Sequence, residues 1–312
     1  LEKKSVWSRE TVEWIDVELT SYCNIDCPGC FRQVKRDKVD HLLDKDSISL
    51  DQIKKWLTRK NFPNAKLVNF CGSIDEPTLH PQLLEIIDYL DGINVNISSN
   101  GSTKTEQFWS ELGKRKISVF FGIDGIDQES LEKYRIGSNF KKVKANWRAF
   151  IEAGGKATWQ FIVFEHNEHL IDHAKYMAKI EGFDNFRLIY SHRDENQESK
   201  TYQREAESDI VCKYGDQKRI FISHTGVMLP CCFLNSEFLQ SHATSEYYTD
   251  FQHLFHRTGG VLNSNLKYAE PDEIIESDLW KKIISSWGNK PIQRCETTCR
   301  QAKQDVFLGE SL

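Results

Sequence analysis

No stretch of the 312 residues approaches the run of about 18 apolar side chains that a membrane-spanning helix requires. Neither sign of charge dominates. Against 46 Asp+Glu stand 41 Lys+Arg, a net charge of −5, so the basic excess that nucleic acid or an anionic membrane calls for is lacking. Leu1–Glu10 is polar and charged and shows no secretory signal. Internal repeats and low-complexity tracts are missing too. With 39% hydrophobic and 28% charged residues, the composition is that of a soluble globular protein with enough apolar mass for a core, expected in the cytoplasm. At roughly 150 residues per domain, the length allows two domains or one large α/β domain with an appendix.

What the chain does have is cysteine, nine in all. An odd number in a chain of this length argues against a secreted disulfide framework. Clustered cysteines in a cytoplasmic protein are more often ligands of a metal or an iron–sulfur cluster.

From Trp14 to about Tyr190, β-rich runs alternate with helical stretches. The expected strands are Ile15–Leu19, Leu67–Cys71, Asn94–Ser98, Ile117–Ile123, Ala157–Phe164 and Phe186–Tyr190. Between them lie expected helices over Leu50–Arg59, Pro81–Leu90, Thr105–Lys114, Phe140–Ala153 and Glu168–Ile180. Six strands with a helix between each and the next imply a parallel sheet, and six fall short of the eight that close a barrel. The expected fold class is therefore α/β, a partial (β/α)6 TIM-like barrel. Residues 192–209 are polar and aperiodic and read as a linker. Beyond them, Arg219–Ser223 and Val227–Leu229 flank His224-Thr225-Gly226, a hairpin signal, and Asp278–Trp287 reads as a helix. The expected organisation is an N-terminal extension (1–13), the partial barrel (14–191), the linker (192–209), a cysteine-bearing C-terminal unit (210–302) and a tail (303–312).

Residues Glu18–Arg32 read ELTSYCNIDCPGCFR, placing Cys23, Cys27 and Cys30 at C-x3-C-x2-C just past the first strand. That is the end of a parallel α/β sheet where function resides. Three such thiolates can hold three irons of a 4Fe–4S cube and leave the fourth iron open; a zinc knuckle is the alternative, but it wants a fourth Cys or His nearby. The segment resembles the cluster motif of the radical S-adenosylmethionine (radical SAM) enzymes. The resemblance implies that Cys23, Cys27 and Cys30 carry a 4Fe–4S cluster whose free iron binds SAM. Gly29 stands where an aromatic residue is common, which leaves Phe31 as the candidate to stack on adenine. Further along, FCGSIDEPTLHP (Phe70–Pro81) is similar to the family's Gly-Gly-Glu-Pro turn for the SAM ammonium, with Glu76 on the Glu and Asp75 on the second Gly. NISSNG (Asn96–Gly101) offers Ser98 and Asn100 to the ribose or carboxylate of SAM. Gly122-Ile-Asp124-Gly125 is similar to a Ser-x-Asp-Gly strand end, with Gly122 where a hydroxyl is common. Arg135 maps onto an arginine that pairs with the SAM carboxylate in several members.

The second cysteine group is Cys212, then Gly226-x4-Cys231, then Cys295-x3-Cys299. It resembles the shortened auxiliary-cluster domain called Twitch, related to the SPASM domain. The resemblance implies a second 4Fe–4S cluster on Cys212, Cys231, Cys295 and Cys299. Cys232 is the alternative to Cys231, and a structural zinc site of four cysteines is the alternative to iron. Cys71 reads as a buried, unliganded thiol. Gln160 reaches the barrel cavity if it points inward.

The function implied is reductive cleavage of SAM to a 5′-deoxyadenosyl radical that takes hydrogen from a substrate C–H bond. The auxiliary cluster would accept an electron, making the net reaction a two-electron oxidation. A reducing partner such as flavodoxin or ferredoxin is expected, and no catalytic acid/base pair stands out. No leader-binding domain is recognisable ahead of Trp14, which favours a small-molecule substrate over a peptide. A two-cluster electron-transfer protein and a zinc-stabilised binding module are the readings from other classes.

Overall fold

The computed structural model describes residues 7–34, 37–38, 43, 45–190, 210–244, 249–288, 290–299 and 307–311. All six expected strands form. They are β1 (Trp14–Val17), β2 (Leu67–Phe70), β3 (Asn94–Ser99), β4 (Ser118–Gly122), β5 (Lys156–Val163) and β6 (Asn185–Tyr190). Each is parallel to the next, in chain order across the sheet. The fold is the expected mixed α/β partial barrel.

Register partners in parallel strands point to the same side, so the sequence alternation sorts the sheet into two unlike faces. Val17, Phe70, Ile97, Val119 and Ala157 form one row, and Phe121, Trp159 and Phe186 another, all buried. The helices pack on this face. Trp109 of helix Glu106–Lys114 stands 5.2 Å from Phe121, and Trp147 of helix Phe140–Glu152 stands 5.3 Å from Trp159. The opposite face carries Asp16, Asn69 and Asn96 in one row and Gly122, Gln160 and Arg187 in another. Gln160 thus points to the polar side, away from the helices. A parallel sheet normally buries both faces under apolar cover; a polar face is one kept for ligands.

The helices start where caps allow. Ser49 and Gln52 form a capping box ahead of Leu50–Trp56, and Thr105 and Asn139 cap the helices that follow them.

The C-terminal third differs from expectation in its pairing. The hairpin at His224-Thr225-Gly226 forms between β7 (Arg219–Ile222) and β8 (Met228–Leu229), but β7 also adds in parallel to β1. At the other edge, β9 (Phe307–Ser311), within the expected tail, pairs antiparallel with β6. One sheet of nine strands therefore runs through both halves. The expected extension is also tied in: Trp7 lies edge-on to Trp280 at 5.3 Å, and its Nε1 donates to Arg219 O. The expected linker falls on residues outside those described. Helices Cys232–Thr244, Asp250–Arg257 and Gln293–Cys299 were not expected from the sequence.

Candidate functional site

The cysteine loop leaves β1 at its C-terminal end and is held to the neighbouring strand ends by specific bonds. Glu76 N donates to Tyr22 O at 2.8 Å, and Asp26 N donates to Ile136 O at 2.9 Å. Asn24, between the first two cysteines, exchanges hydrogen bonds with the turn after β3: Asn100 Nδ2 donates to Asn24 Oδ1 at 3.0 Å, and Asn24 Nδ2 donates to Ser102 Oγ at 2.8 Å. Buried Arg32 donates through Nη1 to both Ser21 O and Ile74 O, at 2.6 and 2.7 Å. Cys27 sits among Ile25, Tyr134, Ile162 and Phe164, with Cys23 and Cys30 packed against the same small apolar cluster.

Glu76, 2% exposed, accepts four hydrogen bonds. Oε1 takes Thr78 N, Thr78 Oγ1 and Ser99 Oγ; Oε2 takes Asn100 N at 2.7 Å. It braces the turns after β2 and β3 against each other. Burial nonetheless raises its pKa above the usual carboxylate value. Ser99, which the sequence reading passed over, meets Glu76; Ser98 lies on the polar face of β3, in register with Phe120. The two turns approach closely because residue 72 is glycine: its φ is +57°, and a Cβ there would stand 2.8 Å from Ser98 O.

Arg135 Nε donates to Asp124 Oδ2 at 2.6 Å, and Nη1 stands 4.0 Å from Cys27 Sγ. Asp124, fully buried, also accepts Ile162 N through Oδ1 at 2.7 Å. The guanidinium thus joins the ends of β4 and β5 to the cysteine loop. Phe31 lies edge-on to Phe233 at 6.4 Å.

The thiols of the second group influence one another electrostatically. Cys231, just ahead of helix Cys232–Thr244, has Cys232, Cys295, Cys212 and Cys299 as its electrostatic neighbours, and burial before all else raises its pKa well above that of a free thiol. Burial likewise pushes Cys295 and Cys299 up to about 12. Cys232 has a further partner: its Sγ stands 3.1 Å from Tyr214 Oη, which donates its hydrogen to Asp16 Oδ2 at 2.7 Å. Cys71, half-buried, stands 3.7 Å from Ser73 Oγ.

The donor chemistry of both groups fits iron–sulfur ligation. Cys23 is pushed up to about 12 by burial and then by Glu76, so it becomes a thiolate only when a cation replaces its proton. Among the described residues, no three Cys, His, Asp or Glu side chains converge as the ligands of one metal ion do; the thiolates of a cube bond separate irons at its corners.

Beside this site lie Glu18 and His224, to which the sequence reading gave no role at a site, and Asp75, which it placed on the second Gly of the turn for the SAM ammonium. Glu18, Asp75 and His224 are all buried. The signal for Glu18 in the sequence is acid at alternate positions inside an apolar strand, Asp16 and Glu18 among Ile15, Val17 and Leu19.

Known proteins bear on this geometry. Residues 17–179 match the radical SAM superfamily. The chain is 30% identical over 117 residues to the tungsten-containing aldehyde ferredoxin oxidoreductase cofactor-modifying protein of Pyrococcus furiosus, which is 36% of this chain and 31% of that one. It therefore spans about a third of that relative's length. Two solved structures share the fold at 14% identity. SuiB of Streptococcus suis bound to the precursor peptide SuiA has a TM-score of 0.58, covering 91% of this chain and 76% of SuiB. Native anSMEcpe with bound AdoMet has a TM-score of 0.59, covering 93% and 89%. No helix among the described residues is long and apolar enough to cross a membrane. With more than half of its length matched by the family, and three cysteines braced at the mouth of a partial barrel, the chain belongs to the radical SAM superfamily.

Proposed function

We propose that Cys23, Cys27 and Cys30 hold the 4Fe–4S cluster of a radical SAM oxidoreductase, and that Cys212, Cys231, Cys295 and Cys299 hold a second, auxiliary cluster. The first cluster would supply the electron that cleaves SAM to methionine and a 5′-deoxyadenosyl radical, which takes a hydrogen atom from the substrate to become 5′-deoxyadenosine, and the second would accept the electron that the substrate radical gives up as it loses a proton to solvent. The chain's own residues do the positioning. Asn24 and Arg32 fix the cysteine loop, and Glu76 fixes the turns beside it. Arg135 places a positive charge against Cys27, which favours the thiolate and offsets the charge of a ligated cluster. Ser98 and Asn100 stand at the end of β3, where the SAM ribose or carboxylate would reach them, and the polar face with Gln160 is left for substrate.

The observation that carries this reading is the number of separate bonds, from three strand ends, spent on holding one short loop of cysteines. A small-molecule substrate, a flavodoxin- or ferredoxin-like reductant and a cytoplasmic location complete the proposal. A peptide is the second reading, favoured by the fold shared with SuiB, which was solved with its precursor peptide.

Anaerobic reconstitution followed by iron and sulfide analysis tests it. The expected result is about eight irons per chain, four per cluster. Cys295→Ala is expected to hold about four and still form 5′-deoxyadenosine. Zinc in place of iron, or a Cys295→Ala protein that still holds a full complement, would contradict the two-cluster reading.

A further inference from the structure

Among the described residues, six carboxylates are buried: Asp16, Glu18, Asp75, Glu76, Asp124 and Glu237. Three are paired with arginine, Asp16 with Arg219 at 2.5 Å, Asp124 with Arg135 at 2.6 Å and Glu237 with Arg294 at 2.5 Å. Glu76 is satisfied by its four hydrogen bonds. Glu18 and Asp75 are different. Among the described residues no lysine or arginine forms an ion pair with either, and Glu18 makes the charge of Asp75 less favourable still. Buried charge without a counter-ion is costly, and native structures rarely tolerate it without a reason.

The two acids are held by hydrogen bonds rather than by ion pairs with lysine or arginine. Ser73 Oγ donates to Glu18 Oε1, and Asn235 Nδ2 donates to Oε2 at 3.2 Å. Asp75 Oδ2 accepts Leu19 N and Thr20 N, at 3.1 and 3.3 Å, while Oδ1 is buried with no hydrogen-bond partner. Against Glu18 stands His224, 8% exposed, its Nδ1 3.7 Å from Glu18 Oε2. Neither ring nitrogen of His224 makes a hydrogen bond. Buried polar atoms are nearly always satisfied, so these orphans mark the place of a missing partner. The groups come from four elements: the end of β1, the turn after β2, the turn after β7 and helix Cys232–Thr244. The last two belong to the half that bears the second group of cysteines.

We propose that Glu18, Asp75 and His224 form a subsite for a protonated amino group of the substrate. An ammonium brings the cationic partner that neither acid has in lysine or arginine, and three N–H donors, enough for Glu18, Asp75 Oδ1 and a ring nitrogen of His224. The inference rests on the proposed function and adds to it a substrate class, an amine. SAM carries an ammonium of its own, so the test must separate the two sources.

The probes are 1,4-diaminobutane and its neutral counterpart 1,4-butanediol, titrated anaerobically into the reconstituted protein with SAM already saturating. The diamine is expected to bind and the diol to bind at least tenfold more weakly. Glu18→Gln is expected to weaken the diamine at least tenfold, and Glu18→Asp, which keeps the charge, to retain most of the binding. SAM affinity, measured separately, is expected to be unchanged in both variants. Equal binding of diamine and diol, diamine binding indifferent to Glu18→Gln, or displacement of SAM by the diamine would each overturn the subsite. Formation of 5′-deoxyadenosine by the same wild-type preparation reports on the underlying reading independently: if it occurs while the diamine result fails, only the subsite is lost.

Discussion

The guanidinium of Arg135 occupies the space that a side chain at Gly122 would need. A Cβ built on Gly122 would stand 2.5 Å from Nη2 and 2.9 Å from Cζ of Arg135. The glycine is what lets the arginine lie across the end of β4, reach Asp124 and come within 4.0 Å of Cys27 Sγ.

Gly122→Ala is therefore expected to push Arg135 off Asp124 and to cost about 1–3 kcal/mol of stability, read from urea unfolding. Combined with Arg135→Ala, which removes the obstructing group, the second substitution should add much less than it costs alone, because the two residues share one contact. Simple additivity would show that the clash is relieved elsewhere.

Cys231 and Cys232 are neighbours in sequence with different surroundings: Cys295, Cys212 and Cys299 act on the first, whereas Asp16 and Tyr214 act on the second. Cys231→Ala should lower the reconstituted iron content from about eight to about four per chain, whereas Cys232→Ala should leave it near eight. The reverse pattern would move the ligand to Cys232.

His80 is buried and neutral. Gln82 N donates to its Nδ1 at 3.1 Å, so Nε2 carries the hydrogen that meets Ile48 O at 2.7 Å. Burial first of all holds its pKa below the ordinary 6.5. The unfolded chain takes up this proton first as pH falls, so the stability contributed is present above about 6.5 and is lost as pH drops toward the folded value. Unfolding free energy should decline from pH 7.5 to 5.5 more steeply in the wild type than in His80→Gln, whose amide can both donate and accept. Identical slopes would remove His80 from the account.

The parallel core was legible because each strand announces itself locally: Val119, Phe121 and Ile123, or Trp159, Phe161 and Val163, alternate with residues facing the other way. The cysteine triad was equally plain, since its spacing is local too. The placement of β7 beside β1 and of Phe307–Ser311 beside β6 was not, because such pairing joins residues far apart in the chain. Helix Cys232–Thr244 escaped notice for another reason, the absence of a clear apolar stripe. Glu18 and His224 each looked ordinary alone, and Asp75 showed only as the replacement of a glycine; the fold is what brings an acid after a strand, an acid from a turn and a hairpin histidine together.

The central claim, that Cys23, Cys27 and Cys30 hold the cluster that cleaves SAM, is tested most directly by one assay. The reconstituted, reduced protein and a Cys23→Ala/Cys27→Ala/Cys30→Ala variant are given SAM, and 5′-deoxyadenosine is quantified. The account predicts product from the wild type and none from the triple variant, which should still hold the iron of the second group. A triple variant that goes on forming 5′-deoxyadenosine would contradict it.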